Sequence, residues 1–230
     1  HLVRPKLDEG FFESVTIDRN RLYSQIIDNL NKSAIVGFDY REIAERLSAA
    51  WTGDPAQRRV HLDAQACATM FREYCLENNL LDFSLQLEIF SNLLWPEPMV
   101  RDHLTSTYRH LIYDNVEEDG PRAHDILRDW SADFQSALFI YDEGAGYRYF
   151  LGGDPHTGAA LADTCDEVIE MNDSFVMSEY VEGLSNSLNT AITKLPSDGI
   201  HGTFEIEDIL AKRYYPELLD SIVAQTLICL

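Results

Sequence analysis

Residues 110–121 read H-L-I-Y-D-N-V-E-E-D-G-P, and this stretch decides the fold class. Its first four residues suit a β-strand, an acidic segment follows, and Pro121 suits the first turn of a helix. The helix predicted over 121–130 leads to a second apolar run at 137–141. Strands that alternate with helices pair in parallel through right-handed crossovers. The sequence therefore predicts an α/β fold with a parallel sheet and flanking helices.

Acidic or amide side chains follow each predicted strand. The run at 110–113 is followed by Asp114, the run at 137–141 by Asp142, and a third run at 167–171 by Asn172. Open α/β sheets bind ligands at the carboxyl ends of their strands. We therefore expect the functional site at this edge of the sheet.

The rest of the chain shows mostly helical periodicity. Apolar residues recur at helical spacing over 21–31, 40–51, 58–76 and 176–192, and a last helix is predicted after Pro216. Gly37 is predicted to separate the helices over 21–31 and 40–51. The stretch 80–94 fits a helix and a strand, and its length favours a helix.

A strand that ends in an aspartate suits an enzyme that binds Mg-nucleotide, because the sheet edge holds the carboxylate beside the metal. Residues 110–121 resemble the aspartate motif of UvrD/Rep-like superfamily-one DNA helicases, which carry D-E-x-Q-D and then a proline after an apolar strand. The resemblance puts Asp114 at the position of the magnesium-binding aspartate. Asn115, Glu117 and Glu118 stand at the positions of the catalytic glutamate, a glutamine and a second aspartate. An amide cannot accept a proton from the attacking water, so hydrolysis should fall by about a hundredfold or more at Asn115.

A second segment, 138–155, reads L-F-I-Y-D-E-G-A-G-Y-R-Y-F-L-G-G-D-P and is similar to a later motif of the same helicases. The resemblance implies that Tyr147, Arg148 and Phe150 contact DNA, with Phe150 as the ring on which a base stacks. A plain core phenylalanine is the alternative for Phe150. The family's phosphate-sensing glutamine falls in a gap near Ala145.

Two weaker matches extend the resemblance over 79–83 and 165–181, where Phe175 stands at the position of a phosphate-clamping arginine. The resemblance implies a helical insertion-like region at 1–107, a partial RecA-like motor core at 108–193, and the truncated entry to a second motor domain at 194–230. The 230 residues contain no G-x-x-x-x-G-K-[ST] loop for phosphates. We therefore expect the family's cofactors, ATP and magnesium, not to be bound by this chain.

Two functions follow from these motifs. The first is an internal fragment of an ATP-dependent DNA helicase that does not hydrolyse ATP alone. The second is a non-catalytic scaffold for protein–protein contacts or DNA repair, derived from the helicase fold. Changes at three nucleotide contacts favour the second function for this chain.

The composition limits the partners. Eighteen Lys and Arg residues against 39 Asp and Glu residues give a net charge of −21, which repels the phosphate backbone. We expect DNA binding only through the full-length protein, and a protein partner is the other possibility. No run of eighteen apolar residues predicts a membrane segment. The four cysteines show no metal or disulfide spacing and are predicted to be buried, reduced thiols of a cytoplasmic protein.

Other sites are weaker alternatives. The acids at 114 and 117–119 do not follow the order of an EF-hand calcium loop, and a solvated acidic loop is favoured. The histidines lack zinc spacing and are predicted to be surface residues or core residues with hydrogen-bond partners. Asp142 and Glu143 could act with Asp114 as the acid and base of a hydrolase.

Overall fold

The computed structural model describes residues 2–171 and 177–193. The chain divides into two compact units, His1–Val168 and Ile169–Leu230. The first unit contains eight α-helices and two strands among its described residues. Helix α9 (Glu179–Thr193) belongs to the second unit.

Helices dominate the described part of the chain as far as residue 107. Periodicity predicted those at 21–31, 40–51, 58–76 and 80–94, but not those at 3–8 and 98–107. The helices are α1 (Val3–Asp8), α2 (Arg19–Val36), α3 (Ile43–Ala50), α4 (Arg58–Glu77), α5 (Phe83–Ile89) and α6 (Pro98–Thr107). A π-helical turn, Phe90–Leu94, continues α5, so the helical interpretation of 80–94 is confirmed.

Local sequence sets the ends of these helices. The Asp18 carboxylate accepts from the backbone N–H groups of Asn20 and Arg21 and caps α2. Gly37 ends α2 with a φ of +90°, a left-handed conformation that glycine adopts without a Cβ penalty. The predicted break at Gly37 is confirmed.

The core of this helical region lies between α2, α3 and α4. Leu30, Cys67 and Ala68 are completely buried, and Ile26 and Ile43 are nearly so. Burial of one such aliphatic side chain stabilises the fold by about 1.5–3 kcal/mol. The prediction of buried thiols holds for Cys67 and Cys75, which are free and buried, while Cys165 is partly buried.

The sheet has two strands among the described residues, β1 (His110–Tyr113) and β2 (Ser136–Phe139). They pair in parallel, with His110 opposite Ser136 and Tyr113 opposite Phe139. Helix α7 (Pro121–Trp130) connects them and has Pro121 in its first turn, as predicted. The predicted parallel α/β arrangement is confirmed at this level.

One face of this sheet packs and the other does not. Val116, Leu127 and Leu161 form a small buried cluster against Tyr113 and Phe139. On the opposite face, Ile112 is 74% exposed and Leu138 is 53% exposed. The second core is therefore smaller than the first and one-sided.

The prediction of a third strand at 167–171 is wrong. These residues have no regular secondary structure, and Val168, Ile169 and Met171 are exposed. A strand needs a neighbour for its backbone hydrogen bonds, and no strand pairs with this run among the described residues. Asn172, Phe175 and the predicted last helix lie outside the described residues.

Helix α8 (Pro155–Ala159) follows the second strand, and 3₁₀ turns flank it at Tyr147–Leu151 and Ala160–Thr164. In the second unit, α9 covers most of the helix predicted over 176–192. Among the described residues, none of the helices combines the length and the apolar character needed to span a bilayer.

Candidate functional site

The two loops that leave the carboxyl ends of the strands continue to hydrogen-bond to each other. The backbone N–H of Ile140 donates to the Tyr113 carbonyl at 2.8 Å, and the N–H of Val116 donates to the Ile140 carbonyl at 3.1 Å. These bonds bring the acidic segment 114–119 beside the segment 140–146. Both motifs singled out in the sequence therefore meet at this edge.

Asp114 lies at the end of β1 with an exposed side chain. Its Oδ1 atom accepts a hydrogen bond from the N–H of Asn115 at 2.9 Å. Asn115 has a φ of +55°, in the left-handed region that asparagine tolerates better than most residues. The exposed Asn115 side chain carries an amide, which is not a base.

Glu117 and Glu118 are engaged within the protein. Glu117 is only 1% exposed, and its Oε2 atom accepts from the N–H of Asp142 at 3.2 Å. Glu118 forms an ion pair with Arg148, with 3.1 Å between Oε2 and Nε. Both carboxylates thus tie the loop after β1 to the segment that follows β2.

One hydrogen bond across the loop after β1 and one between the two segments add to these contacts. The Tyr113 hydroxyl donates to Oδ2 of Asp119, and the Asp119 carbonyl accepts from the N–H of Asp154 at 2.8 Å. Burial, together with the hydrogen bond to the Asp119 carboxylate, raises the pKa of Tyr113 well above its usual range. This tyrosine therefore stays a hydrogen-bond donor across the physiological pH range.

His124 lies completely buried on α7 beneath the loop. Its Nε2 atom donates to the Val116 carbonyl at 2.8 Å, because a carbonyl can only accept, and Nδ1 is 2.8 Å from the Thr157 hydroxyl. His124 thereby joins α7, the acidic loop and α8. The sequence prediction of a core histidine with hydrogen-bond partners is correct here.

The 3₁₀ turn Tyr147–Leu151 presents aromatic side chains to solvent. Tyr147 is 77% exposed and Phe150 is 68% exposed, and Tyr149 between them is also exposed. Phe150 is therefore not a core phenylalanine, which removes that alternative. The turn carries all three predicted DNA-contact residues, and Arg148 stands among the rings with its guanidinium directed to Glu118.

Glycine is required where this turn approaches the acidic loop. A Cβ at Gly153 would lie 2.7 Å from the Glu118 carbonyl oxygen, closer than side chains pack. A Cβ at Gly146, where φ is +96°, would lie 2.6 Å from Cγ of Pro155. Gly153 allows the two motif segments to approach each other closely, and Gly146 allows the segment after β2 to fold back on Pro155.

The residues fit a magnesium nucleotide only in part. Asp114 offers an exposed carboxylate at the strand end, which suits a magnesium ligand. Glu117 does not fit, because its buried carboxylate already accepts from Asp142, and Glu118 is paired with Arg148. No group of three or more His, Cys, Asp and Glu side chains could hold a metal ion within residues 2–171 and 177–193.

Negative charge dominates the rim of the site. Burial comes first among the causes that raise the pKa of Tyr141, and the neighbouring carboxylates of Glu143 and Glu117 add to it. The Oδ1 atom of Asp142 accepts a hydrogen bond from the N–H of Gly144 at 2.9 Å. The sequence therefore placed Asp142, Glu143 and Asp114 correctly near one edge, while no hydrogen bond among them indicates an acid–base pair.

Comparisons with known proteins do not assign a family. No family model, no curated protein and no solved structure matches this chain.

The sequence did not predict the structural roles of two residues that organise the site, Asp119, which was considered only as part of the acidic cluster, and Thr157. Asp119 could have been suspected, because it precedes the Gly-Pro that begins α7. Thr157 carries no comparable signal, since its partner His124 is 33 residues away in the chain.

Proposed function

We propose that the chain is part of a UvrD/Rep-like DNA helicase, in a form that does not hydrolyse ATP by itself. Support comes from one observation above all: the segments 110–121 and 138–155, which carry the resemblance, meet at the carboxyl edge of one parallel strand pair. This edge is where α/β sheets bind nucleotides. A RecA-like core extending this sheet, in a cytoplasmic protein, belongs to the same proposal.

The proposed loss of hydrolysis is based on the side chains present at the motif positions after β1 and on their contacts. Asn115 supplies an amide where the helicases have their catalytic glutamate, and general-base catalysis needs a group that accepts a proton. Glu117 and Glu118 hold the loop in place and are not available to substrate. Asp114 alone remains in a position to approach a metal.

The DNA contact in this proposal is the aromatic turn Tyr147–Leu151. Stacking of a base on an exposed ring is worth roughly 1–3 kcal/mol, and Phe150 and Tyr147 present such rings. The net charge of −21 opposes binding of the phosphate backbone, so the rest of the full-length protein must supply the cations.

The test has two arms. Titration of the 230-residue chain with Mg-ATP in a calorimeter should give no heat at micromolar nucleotide, and Asn115→Glu should not create hydrolysis. In the full-length protein, Phe150→Ala should weaken binding of oligodeoxythymidine by about 5- to 150-fold. Phe83→Ala is the matched control, because Phe83 is a similarly exposed ring on α5.

Two results would contradict this proposal. Micromolar ATP binding followed by turnover in the chain alone would overturn the non-hydrolysing form. Equal weakening by Phe150→Ala and Phe83→Ala would remove the role of the aromatic turn in DNA binding.

The second candidate, a non-catalytic scaffold, is favoured by the bare face of the sheet. Parallel sheets are normally covered on both faces, yet Ile112, Leu138 and Ile140 are exposed here. A protein partner would cover them in a scaffold. Oxidative footprinting should then label Ile112 and Leu138 strongly in the isolated chain and weakly in its native assembly, and Ile112→Lys, unlike Phe150→Ala, should prevent that assembly.

A further inference from the structure

A cavity of about 380 Å³ lies in the helical region, between α2, α4, α5 and α7. Three arginines line it, Arg41, Arg72 and Arg122, in a protein whose net charge is −21. The carboxylates in the lining are those of Asp39 and Glu88. Asp82 approaches Arg72 outside the lining, so the local balance of arginines and acids is even, whereas acids exceed basic residues about twofold in the whole chain.

Arg72 forms the buried wall of the cavity. It is 1% exposed, and its Nη2 atom donates to Ser84 Oγ and to Glu88 Oε1, each at 2.9 Å. Its Nη1 atom lies 3.6 Å from Asp82 Oδ1, and Nε and Nη1 have almost no accessible surface. The arginines that a ligand can reach are therefore Arg122, which is partly buried, and Arg41, which is exposed.

Neighbouring groups hold the arginines in place. The Tyr40 ring lies 5.1 Å from the Arg72 guanidinium and 5.3 Å from that of Arg41, within the range of cation–π contact. Arg122 reaches from α7, where its Nη2 atom donates to the Ser91 carbonyl and to Asn92 Oδ1. Each guanidinium has five N–H donors, so Arg122 keeps further donors after these two bonds.

Part of the remaining lining is apolar. Leu76, Leu85 and Leu87 contribute aliphatic surface, and Phe38 adds an aromatic ring. A ligand that satisfies both parts carries an oxyanion for the arginines and a hydrophobic body for the leucines. A cavity of this volume accommodates a molecule of roughly mononucleotide size or smaller.

We propose that this cavity is a binding site for a small organic anion, one that carries a phosphate monoester or a carboxylate on an apolar body. The site is separate from the strand-end site, and the proposal does not depend on the helicase resemblance. The oxyanion accepts from Arg122 inside the cavity and from Arg41 at its rim.

The probes are phenyl phosphate, benzoate, inorganic phosphate and benzamidine, titrated into the 230-residue chain and followed by ligand-observed NMR. Phenyl phosphate or benzoate should bind at least tenfold more tightly than inorganic phosphate. The better of the two identifies the oxyanion. Benzamidine has a similar ring with a positive charge and should not bind.

Arg122→Gln should weaken binding of the better probe at least tenfold. Arg128→Gln is the matched control, because Arg128 lies on the same helix, pairs with Asp125 and is not in the cavity lining. It should change binding less than twofold. If Arg122→Gln lowers thermal stability, Arg41→Gln replaces it, since the Arg41 side chain is largely exposed, and it should weaken binding at least threefold.

Three outcomes would overturn the proposal. Neither anion binds the wild-type chain. Benzamidine binds as well as benzoate, which indicates an apolar cleft without anion selectivity. Arg122→Gln and Arg41→Gln both bind like the wild type, which places the probe elsewhere.

Discussion

The helical region, residues 2–107, and the strand-end region, residues 108–168, are stabilised in different ways. The first buries aliphatic side chains such as Leu30 and Ile26 on several sides. The second has a small apolar cluster, leaves Ile112 exposed on its sheet, and joins its loops through polar contacts to Glu117 and His124. The helical region is therefore stabilised by a buried core, whereas the strand-end region is stabilised by hydrogen bonds along the sheet edge.

Truncation of a core leucine should have the largest effect. Leu30→Ala removes a completely buried side chain from α2 and should lower the free energy of unfolding by about 2–5 kcal/mol. Leu138→Ala on β2 is the matched change and should cost about 1 kcal/mol or less, because Leu138 is half exposed. Urea denaturation measures both. Equal losses would show that the two regions do not differ in packing.

Removal of the buried histidine should have a smaller effect, located in the strand-end region. His124→Leu keeps an apolar volume but removes one of the two donors to the buried Val116 carbonyl, together with the contact to the Thr157 hydroxyl. This loss should cost about 1–3 kcal/mol. His156→Leu is the control, since His156 is exposed on α8, and it should stay within about 0.5 kcal/mol of the wild type. A loss below about 0.5 kcal/mol for His124→Leu would argue against a polar framework in this region.

The pH dependence of the free energy of unfolding should show whether water reaches the Cys67 thiol in the helical core. Burial, with a smaller contribution from the Asp63 carboxylate, raises the pKa of Cys67 to about 11 from an ordinary value of 9.0. The unfolded chain therefore ionises this thiol first. The contribution of this thiol to the free energy of unfolding is fully present below pH 9 and is lost as the pH rises through 11. At pH 10 the loss is about 1 kcal/mol. Urea denaturation from pH 7 to 10 measures this loss, which should be absent in Cys67→Ala. A wild type and variant with the same slope would mean that the thiol is hydrated.

Much of the helical region could be predicted from local sequence. Helices α2 and α4 follow from apolar spacing, and Gly37 marks a real helix end. The failure at 167–171 has a physical cause. A short apolar run forms a strand only if a partner strand exists, and that partner is a long-range property that no local pattern contains.

For the two candidate sites, too, some features could be predicted from local sequence and others could not. Acids after β1 and β2 could be placed at one edge because parallel strands bring their carboxyl ends together. Whether those acids are free could not be predicted, and Glu117 proved to be buried with a structural role. The arginine cavity was not predicted, because Arg41, Arg72 and Arg122 come from three elements far apart in the chain.

Side-chain periodicity, helix capping and composition were enough to predict the longer helices, the parallel strand pair and the acidic character of the strand-end loops. Packing in three dimensions was needed to show that Phe150 is exposed, that Glu117 is buried and that Arg72 is enclosed. Exposure and hydrogen bonding depend on residues distant in the chain. Those neighbours are set by how the elements pack.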